Sequence, residues 1–389
     1  MKLIMKVVLV NLWRVLNAYG GTEKVFFSMG NALVERGYSV TAIACDNNDG
    51  EPVFPVDSRV QFKNIPVKLN KFWIKLHSIY LPSRKARRQK RQMLPLHRKA
   101  DVIGRVISEV NPDVIISFQQ ETTFILKELL KVSAPVITMF HGKPSKYFEE
   151  GGFVHYKSSL ENCDCCQVLM PEYQEELINW ITPKKTVVIP NFVPQYATGG
   201  ALLDKPTIIH VGRISPEKRQ HLIVEAFSLI KDKYPNWKIE LWGEPTCSPK
   251  YTETVEQLIL DHQLNDQIKL CGSTDFIEET LNEASIFIFP SEHEGFPLAL
   301  TEAMAKGLPA IGCESCSSVN SLIKDGHNGF LCSDEPDDIA KKLELLMNNP
   351  NLRKQLGSNA REDMKEYSED KIWNRWDKLI QSIADNSSS

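Results

Sequence analysis

The chain has 389 residues, of which 42% are hydrophobic and 24% are charged, and its formal net charge at pH 7 is −3. At roughly 100–200 residues per domain, this length predicts two domains, with enough apolar material for two cores. No run approaches the ~18 apolar residues of a membrane-spanning helix, which disfavours an integral membrane protein. Asn11 and Arg14 interrupt the apolar start of the chain. A buried first strand is therefore favoured over a signal peptide, and we expect a cytoplasmic protein.

The first half of the chain alternates predicted strands and helices. An apolar run predicts a strand over residues 6–13, and after a Gly-Gly loop a helix begins at 22 and ends at Gly37. Further strands are predicted over residues 39–46, 113–118, 135–141 and 165–171. Strands that alternate with helices predict a parallel sheet with right-handed crossovers.

The segment 59–99 is strongly basic. Residues 58–100 hold 13 Lys and Arg and no Asp or Glu, whereas the rest of the chain has 33 basic and 49 acidic residues. Apolar residues recur with helical spacing between 69 and 80, and a basic helix that carries Trp and Phe is typical of a membrane-surface element. We expect Pro82 and Pro95 to bound the most basic run. We predict a membrane-binding or acceptor-binding patch made of Lys71, Trp73, Lys75, Arg84, Arg87, Arg88 and Arg91.

Two alternatives exist for this basic segment. A solvated basic helix whose apolar face packs on its own domain fits the same pattern. Nucleic-acid binding has no supporting motif, so we expect no nucleic-acid partner.

Residues 191–206 are rich in Pro and Gly, which predicts an interdomain linker. A second series of alternating elements follows, with strands over 207–213, 238–244, 268–273, 286–291 and 309–313 and helices over 217–234, 251–263 and 276–284. We predict an α/β protein with two Rossmann-like, doubly wound domains that face an interdomain cleft, where ligands bind. The predicted domains are 1–195 and 204–365, with a helix over 366–385 that packs back on the first domain and a disordered serine tail.

The stretch SEHEGFPLALTEAMAKG, residues 291–307, contains two carboxylates eight positions apart. Pro297 suits the first position of a helix and Gly307 its end, so Glu294 is expected in the preceding loop and Glu302 in the second helical turn. The helix N-terminus offers a phosphate site, and a carboxylate such as Glu302 can accept hydrogen bonds from both ribose hydroxyls. The spacing also fits a simpler arrangement, in which Glu294 complements the helix dipole and Glu302 is solvated.

A pair of cations follows the first strand of the second half. The segment HVGRISPEKRQ places Arg213 and Lys218 just past the end of that strand. A guanidinium fork and a mobile ammonium that reach toward a helix N-terminus would bind a diphosphate. Ordinary surface cations are the alternative.

The chain resembles the family 4 retaining glycosyltransferases of the GT-B fold, and in particular bacterial enzymes of surface-polysaccharide and lipopolysaccharide synthesis. The resemblance covers nearly the whole chain. It is carried by the segments NAYGGTEKV, VVIPNFV, HVGRISPEKR and FPSEHEGFPLALTEAMAKGLPAIG. The last of these matches the family's Glu-x7-Glu region.

The resemblance implies a role for each matched position. Glu302 would hold the ribose, and the diphosphate would be held by Arg213, Lys218, Gly20 and Gly21. The implied catalytic residues are Glu294, which contacts the donor sugar, and His141, which touches the donor sugar or the acceptor. The backbone of Gly295, Phe296, Pro297 and Leu298 would cover the phosphates and sugar, and Ser273 and Thr274 lie where the family contacts the base.

The sequence departs from the family at two positions. Gly243-Glu244-Pro245 stands where a short Gly-Glu-Gly turn is usual, and no polar residue follows His141.

The resemblance implies a retaining hexosyltransferase that moves a sugar from a nucleoside-diphosphate sugar, by family habit a UDP-sugar, to a lipid-linked or surface-glycan acceptor. We expect it to act on the anionic inner face of the cell membrane. The alternatives are a nucleotide-sugar epimerase and a non-catalytic nucleotide-sugar-binding protein.

We expect no metal and no cofactor. The sequence has no Asp-x-Asp triplet, so cations and a helix N-terminus would stabilise the leaving diphosphate in place of a metal. Two Cys-x-x-Cys pairs, Cys163/Cys166 and Cys313/Cys316, could share a zinc ion, but about 150 residues separate them and zinc ribbons use much shorter gaps. Ordinary reduced cysteines are favoured.

Overall fold

The computed structural model describes residues 4–68, 83–149, 155–194, 199–245 and 248–388. The chain divides into two compact units. Unit 1 comprises Met1–Pro190 with Ile372–Ser389, and unit 2 comprises Asn191–Lys371. Each unit is built on one parallel sheet with helices.

The sheet of unit 1 has seven parallel strands in the order β3-β2-β1-β4-β5-β6-β7. Val, Ile and Leu fill the central strands, which are buried on both faces, as is usual for a sheet covered by helices on each side. The strands are β1 Lys6–Asn11, β2 Ser39–Ala44, β3 Gln61–Asn64, β4 Val114–Ser117, β5 Val136–Met139, β6 Cys165–Val168 and β7 Thr186–Val188.

In the described part of unit 1, six α-helices connect these strands. They are α1 Gly21–Glu35, α2 Arg84–Val110, α3 Gln120–Phe124, α4 Pro144–Glu149, α5 Lys157–Asn162 and α6 Pro171–Trp180. A π-helical turn, Ile125–Leu129, directly follows α3.

Helix α2 continues through Pro95, so the prediction that this proline bounds the basic run is wrong. A proline inside a helix removes one backbone hydrogen bond and costs about 3 kcal/mol. A stripe of apolar side chains offsets this cost, because Leu96, Ala100 and Ile103 are buried and each large buried side chain contributes about 1.5–3 kcal/mol. Packing therefore overrides the local signal of the proline.

The sheet of unit 2 has six parallel strands in the order β10-β9-β8-β11-β12-β13. The strands are β8 Thr207–Val211, β9 Lys238–Trp242, β10 Ile268–Gly272, β11 Ile286–Phe289, β12 Ala310–Cys313 and β13 Gly329–Cys332. Buried strand residues such as Ile208, Ile239 and Ile286 pack with Phe227 and Leu343 of the covering helices.

The helices of unit 2 are α7 Gln220–Ser228, α8 Pro249–Asp261, α9 Ile277–Asn282, α10 Leu298–Ala305, α11 Ser317–Asn320, α12 Pro336–Asn348 and α13 Pro350–Met364. The single helix predicted over 217–234 is wrong. Arg219 has left-handed backbone angles (φ 52°, ψ 39°), which end the 3-10 turn Pro216–Lys218 before α7 begins, and another 3-10 turn, Lys231–Lys233, follows.

The last helix is α14, Glu369–Ser388, so the serine tail that was predicted to be disordered continues a helix up to Ser388. From Ile372 onward it belongs to unit 1. Trp376 is buried there, and Tyr38 Oη donates a hydrogen bond of 2.5 Å to Asp377 Oδ1.

Among the described residues, none of the helices combines the length and apolar character needed to cross a bilayer.

The described cysteines are thiols, and seven of the eight are buried. Cys163 and Cys166 have their sulfurs 3.5 Å apart, whereas the sulfur of Cys313 lies 3.9 Å from that of Cys332 on the neighbouring strand. Within the described part of the chain, no group of three or more His, Cys, Asp or Glu side chains could hold a metal ion.

Candidate active site

The sheet of unit 2 has a topological switch point between β8 and β11. Strand β8 pairs with β9 on one side and with β11 on the other, so the connections that leave these strands diverge at the carboxyl edge. In open α/β sheets, ligands bind at this point. The loop after β8 carries Arg213 and Lys218, and the loop after β11 carries Glu294.

Lys218 and Glu294 form a close ion pair at this edge. Their side chains are only 14% and 13% exposed, and Lys218 Nζ lies 5.3 Å from the centre of the Phe289 ring. The fold therefore brings together two residues that lie 76 positions apart in the sequence. An ion pair with this little exposure is weakly screened by water and salt.

Arg213 is the more exposed cation of the predicted clamp, with 64% of its side chain accessible. Its guanidinium lies 3.6 Å from Glu217, four residues further along the chain. The backbone N–H of Glu292 donates to the carbonyl of Glu217 at 2.9 Å, so the loops after β8 and β11 are joined directly.

A glycine holds the loop after β9 against the Arg213 loop. A Cβ at Gly243 would lie 1.9 Å from the carbonyl oxygen of Gly212, so only glycine allows this approach. Gly212 N–H donates to Trp242 O at 2.8 Å, and Ile214 N–H donates to Glu244 O at 3.2 Å. The Gly-Glu-Pro sequence thus packs on the segment that carries Arg213.

His210 lies in β8 and is linked through Gln220 to the loop that carries Arg213. Its Nδ1 lies 2.9 Å from the carbonyl of Ile288, which can only accept, so Nδ1 donates and Nε2 accepts from Gln220 at 3.1 Å. Gln220 also donates to the carbonyl of Arg213 at 2.8 Å. Burial lowers the pKa of His210 to about 4, so the ring is neutral at pH 7. Sequence reasoning missed this residue, because a histidine in an apolar run gives no signal of its hydrogen-bond partners.

Arg219 connects four loops at the carboxyl edge of the sheet. Its guanidinium lies 2.8 Å from Asp334 and 3.3 Å from Glu292, and it donates to Ser315 Oγ at 3.4 Å. These ion pairs hold Arg219 in a left-handed conformation that costs about 1–3 kcal/mol for a residue other than glycine. Arg219 was not predicted, because its partners come from loops that are distant in the sequence.

Helix α10 begins at Leu298, one residue later than predicted, and Pro297 occupies the N-cap position. Phe296 is buried and its ring centre lies 5.4 Å from that of Tyr367, which fixes the chain that enters the helix. Gly295 precedes this anchored segment in the loop.

Glu302 lies in the second turn of α10, as expected, and it is buried. This burial contradicts the alternative in which Glu302 is solvated. Lys306, just beyond the helix, has a fully buried side chain whose Nζ donates to Glu278 at 2.7 Å. Lys306 was not predicted, since its partner Glu278 lies 28 positions away in the sequence.

Ser273 and Thr274 lie in the loop after β10. Ser273 Oγ donates to Glu244 at 3.4 Å, and Thr274 Oγ1 accepts from the backbone N–H of Phe276 at 3.0 Å. The Phe276 side chain is mostly exposed.

In unit 1, Gly20 and Gly21 form the start of α1. Gly20 is the N-cap and Gly21 the first helical residue. A Cβ at Gly20 would lie 2.0 Å from Glu23 Oε2, so the Glu23 carboxylate fills the space beside Gly20. A carboxylate in the first turn complements the helix dipole. Glu23 was not predicted, although an acid three residues after the N-cap is a known signal of a helix start.

His141 follows β5. Its ring stacks on Phe118 with centres 5.4 Å apart, and it makes a hydrogen bond to the Phe118 backbone. Nε2 is buried without a partner among the described residues. Burial lowers the pKa of His141 to about 4, so the ring is neutral at pH 7 and Nε2 can accept a hydrogen bond.

The residue after His141, Gly142, lies close to the end of the Tyr147 side chain. A Cβ at Gly142 would lie 3.2 Å from Tyr147 Oη, and Tyr147 makes a hydrogen bond to the His141 backbone. Glu121, across the same edge of the sheet, has its pKa raised by burial, and its Oε2 is buried without a partner in the described part of the chain. Neither Tyr147 nor Glu121 was predicted.

The predicted basic patch is only partly visible. Lys71, Trp73 and Lys75 lie outside the described residues. Arg84 and Arg88 lie within helix α2, which extends to Val110. Arg87 and Arg91 are exposed on that helix.

Two family models match the chain in succession. The Glycosyltransferase Family 4 model matches residues 19–195, and the model named Glycosyl transferases group 1 matches residues 198–363.

Similar curated proteins span nearly the whole chain. An uncharacterized glycosyltransferase of Haemophilus influenzae is 25% identical over 93% of this chain and 96% of its own length. A Campylobacter jejuni protein is 22% identical over 94% of this chain and 96% of its own length. Its name is GalNAc-alpha-(1->4)-GalNAc-alpha-(1->3)-diNAcBac-PP-undecaprenol alpha-1,4-N-acetyl-D-galactosaminyltransferase.

Solved structures show the same fold. Sucrose-phosphate synthase from Thermosynechococcus elongatus has a TM-score of 0.81 and 19% identity, with 97% of this chain and 99% of that chain covered. Anabaena HepE in complex with UDP and glucose has a TM-score of 0.73 and 15% identity, with 97% and 100% covered. The predicted fold class is thus confirmed. The chain belongs to the glycosyltransferases, with a Glycosyltransferase Family 4 domain followed by a group 1 domain on a GT-B fold.

Proposed function

We propose that this enzyme moves a sugar from a nucleoside-diphosphate sugar, a UDP-sugar, to a lipid-linked or surface-glycan acceptor, with retention of configuration and without a metal. The observation that carries the proposal is the contact between Lys218 and Glu294 at the switch point of unit 2, with Arg213 in the same loop as Lys218 and α10 following the loop of Glu294. Cations beside a helix N-terminus suit a diphosphate.

The proposed chemistry depends on charge that develops on the leaving diphosphate. Glycosyl transfer passes through an oxocarbenium-like state while the bond to the leaving oxygen breaks. Lys218 has little exposure, and in such surroundings a cation stabilises a growing negative charge more strongly than in water. The N–H groups at the start of α10 add a second positive dipole. Glu302, buried one turn further on, would accept hydrogen bonds from the ribose hydroxyls.

Two further roles belong to the proposal. Glu294 would contact hydroxyls of the donor sugar, and the unpartnered Nε2 of His141 would accept a hydrogen bond from the donor sugar or the acceptor. Retention would follow from attack on the face from which the diphosphate leaves, with no protein nucleophile. The C. jejuni relative, whose name includes PP-undecaprenol, supports a lipid-linked acceptor, and the HepE complex with UDP and glucose supports a UDP donor.

The membrane location is also part of the proposal. Arg87, Arg91 and Arg98 are exposed on α2, and their spacing places them on one face, opposite the buried Leu96. Each Lys or Arg near anionic lipid contributes about 1 kcal/mol. We expect the protein to co-sediment with vesicles of anionic lipid at low salt and not with neutral vesicles. Equal recovery with both would rule out this docking mode.

Titration calorimetry with UDP and with GDP, in the presence of chelator, tests the donor site. Binding of UDP without metal supports the cation clamp, and turnover of a matching sugar nucleotide with an acceptor separates a transferase from an epimerase or a binding protein. Absence of binding to both nucleotides, or activity that disappears with chelator and returns with Mn²⁺, would refute the proposed site.

A further inference from the structure

Both cations of the proposed diphosphate clamp already face a carboxylate of the same chain. Lys218 pairs with Glu294, and Arg213 lies 3.6 Å from Glu217. The two pairs differ in strength. Glu294 is 13% exposed and in close contact, whereas Glu217 is 42% exposed and its pair is largely screened.

A carboxylate and a phosphate oxygen make the same demand on an ammonium group. Each is an anionic oxygen that accepts a charge-assisted hydrogen bond. A diphosphate that arrives at Lys218 brings at least two further negative charges beside Glu294. Like charges at this separation repel each other, and they do so strongly where water is mostly excluded. The Lys218–Glu294 pair and a bound diphosphate therefore compete.

We propose that Glu294 is a displaceable internal counter-ion of the donor site. In the empty site it neutralises Lys218, and the incoming diphosphate takes Lys218 from it. The displaced carboxylate then meets the hydroxyls of the donor sugar, and it recaptures Lys218 as the nucleoside diphosphate leaves. The inference rests on the proposed function and adds a second role for Glu294, in product release.

The surrounding contacts fit this exchange. Lys218 keeps its position over the Phe289 ring, and its stem packs 3.6 Å from the site of a Cβ on Gly212, so its location does not depend on Glu294 alone. The loop of Glu294 is anchored on both sides, by the Glu292–Glu217 backbone bond and by the buried Phe296. Only the Glu294 side chain has to move.

The test is the affinity for a nucleoside diphosphate that carries no sugar. We expect Glu294→Gln to bind UDP, or GDP if that is the nucleotide the wild type binds, at least tenfold more tightly in calorimetry with chelator. The same variant should lose most of its sugar transfer, because the sugar contact is weakened. Tighter binding of the nucleoside diphosphate, together with slower sugar transfer, is the result expected from the counter-ion role.

Glu292→Gln is the matched control. It removes the same charge from the same loop, but Glu292 pairs with Arg219 and not with the clamp. We expect its affinity to change by no more than about threefold. In a Lys218→Ala background, Glu294→Gln should give little gain, because the competition requires Lys218.

The outcomes are distinct. Equal or weaker binding by Glu294→Gln, with a wild type that binds, overturns the inference and leaves the proposed function standing. Equal gains in nucleotide affinity for Glu294→Gln and Glu292→Gln also overturn the inference, since the loss of any negative charge from this loop would then explain both. If the wild type and every variant bind neither UDP nor GDP, while thermal unfolding shows them folded, the proposed function fails and the inference fails with it.

Discussion

The two cations of the proposed clamp differ in exposure, and this difference predicts unequal effects of their removal. Two unit charges about 4 Å apart interact by about 1 kcal/mol in water and by about 4 kcal/mol at an effective dielectric constant of 20. Arg213 is 64% exposed, so its surroundings are close to water, whereas Lys218 is 14% exposed, so its surroundings are close to the lower dielectric constant. We therefore expect Arg213→Ala to weaken nucleoside-diphosphate binding by about 1 kcal/mol, or fivefold.

Lys218→Ala should cost about 3 kcal/mol, or more than a hundredfold, after allowance for the Glu294 contact that wild-type Lys218 gives up on binding. Calorimetry with UDP at two salt concentrations measures both losses, and only the Arg213 contribution should fall markedly with added salt. Lys205→Ala, at an exposed ion pair before β8, is the control and should leave the affinity within twofold. Equal losses at Arg213 and Lys218 would contradict the assignment of strength by burial.

Three stability predictions follow from the fold. Burial lowers the pKa of His210 to about 4, against about 6.5 in the unfolded chain. The unfolded state therefore binds one more proton, and the free energy of unfolding falls as the pH drops from 6.5 to 4. His210→Gln should reduce the slope of the unfolding free energy by about 1.4 kcal/mol per pH unit in that window. Gly243→Ala should unfold unit 2 at a clearly lower temperature than wild type, because its Cβ meets a backbone oxygen, whereas Gly20→Ala should cost little, because only the flexible end of Glu23 must move; similar melting shifts for the two would contradict this reasoning. Asn349→Ala removes the side chain that accepts from the Leu352 N–H at the start of α13, and chemical denaturation should show a loss of about 1 kcal/mol, with no loss counting against the cap.

The sequence predicted the central strands of both sheets well, because long apolar runs bounded by turn residues have few other interpretations. It missed β3, β7 and β13, which all lie at an edge of their sheet, and the side chains of β3 and β7 are at most partly buried. It also placed a boundary at Pro95 and a continuous helix through Arg219. In both places tertiary contacts override a local preference. Buried apolar side chains keep the helix intact through Pro95, and ion pairs hold Arg219 in a non-helical conformation.

The site shows the same division. Local spacing was enough to place Glu294 before α10 and Glu302 in its second turn, although the helix starts one residue later than predicted. Spacing did not reveal that Glu294 holds Lys218, because that contact joins loops 76 positions apart. The supporting contacts of His210 and Lys306 were likewise invisible, since each depends on which elements the sheet order makes neighbours. The roles assigned to these residues in substrate binding stay predictions.

The two ends of unit 2 are joined to each other. Near its start, the Val193 N–H donates to the carbonyl of Tyr367 at 2.8 Å, and Val193 forms a parallel bridge with Ser368 near its end. Unit 2 is continuous in sequence, so a gene fragment for residues 191–371 encodes a complete sheet whose termini are already closed. We expect this fragment to fold without unit 1 and to retain the cation clamp, whereas a truncation before Tyr367 removes the closing contact. Dissection of the gene at these two positions would place the proposed donor site on a fragment that can be studied without unit 1.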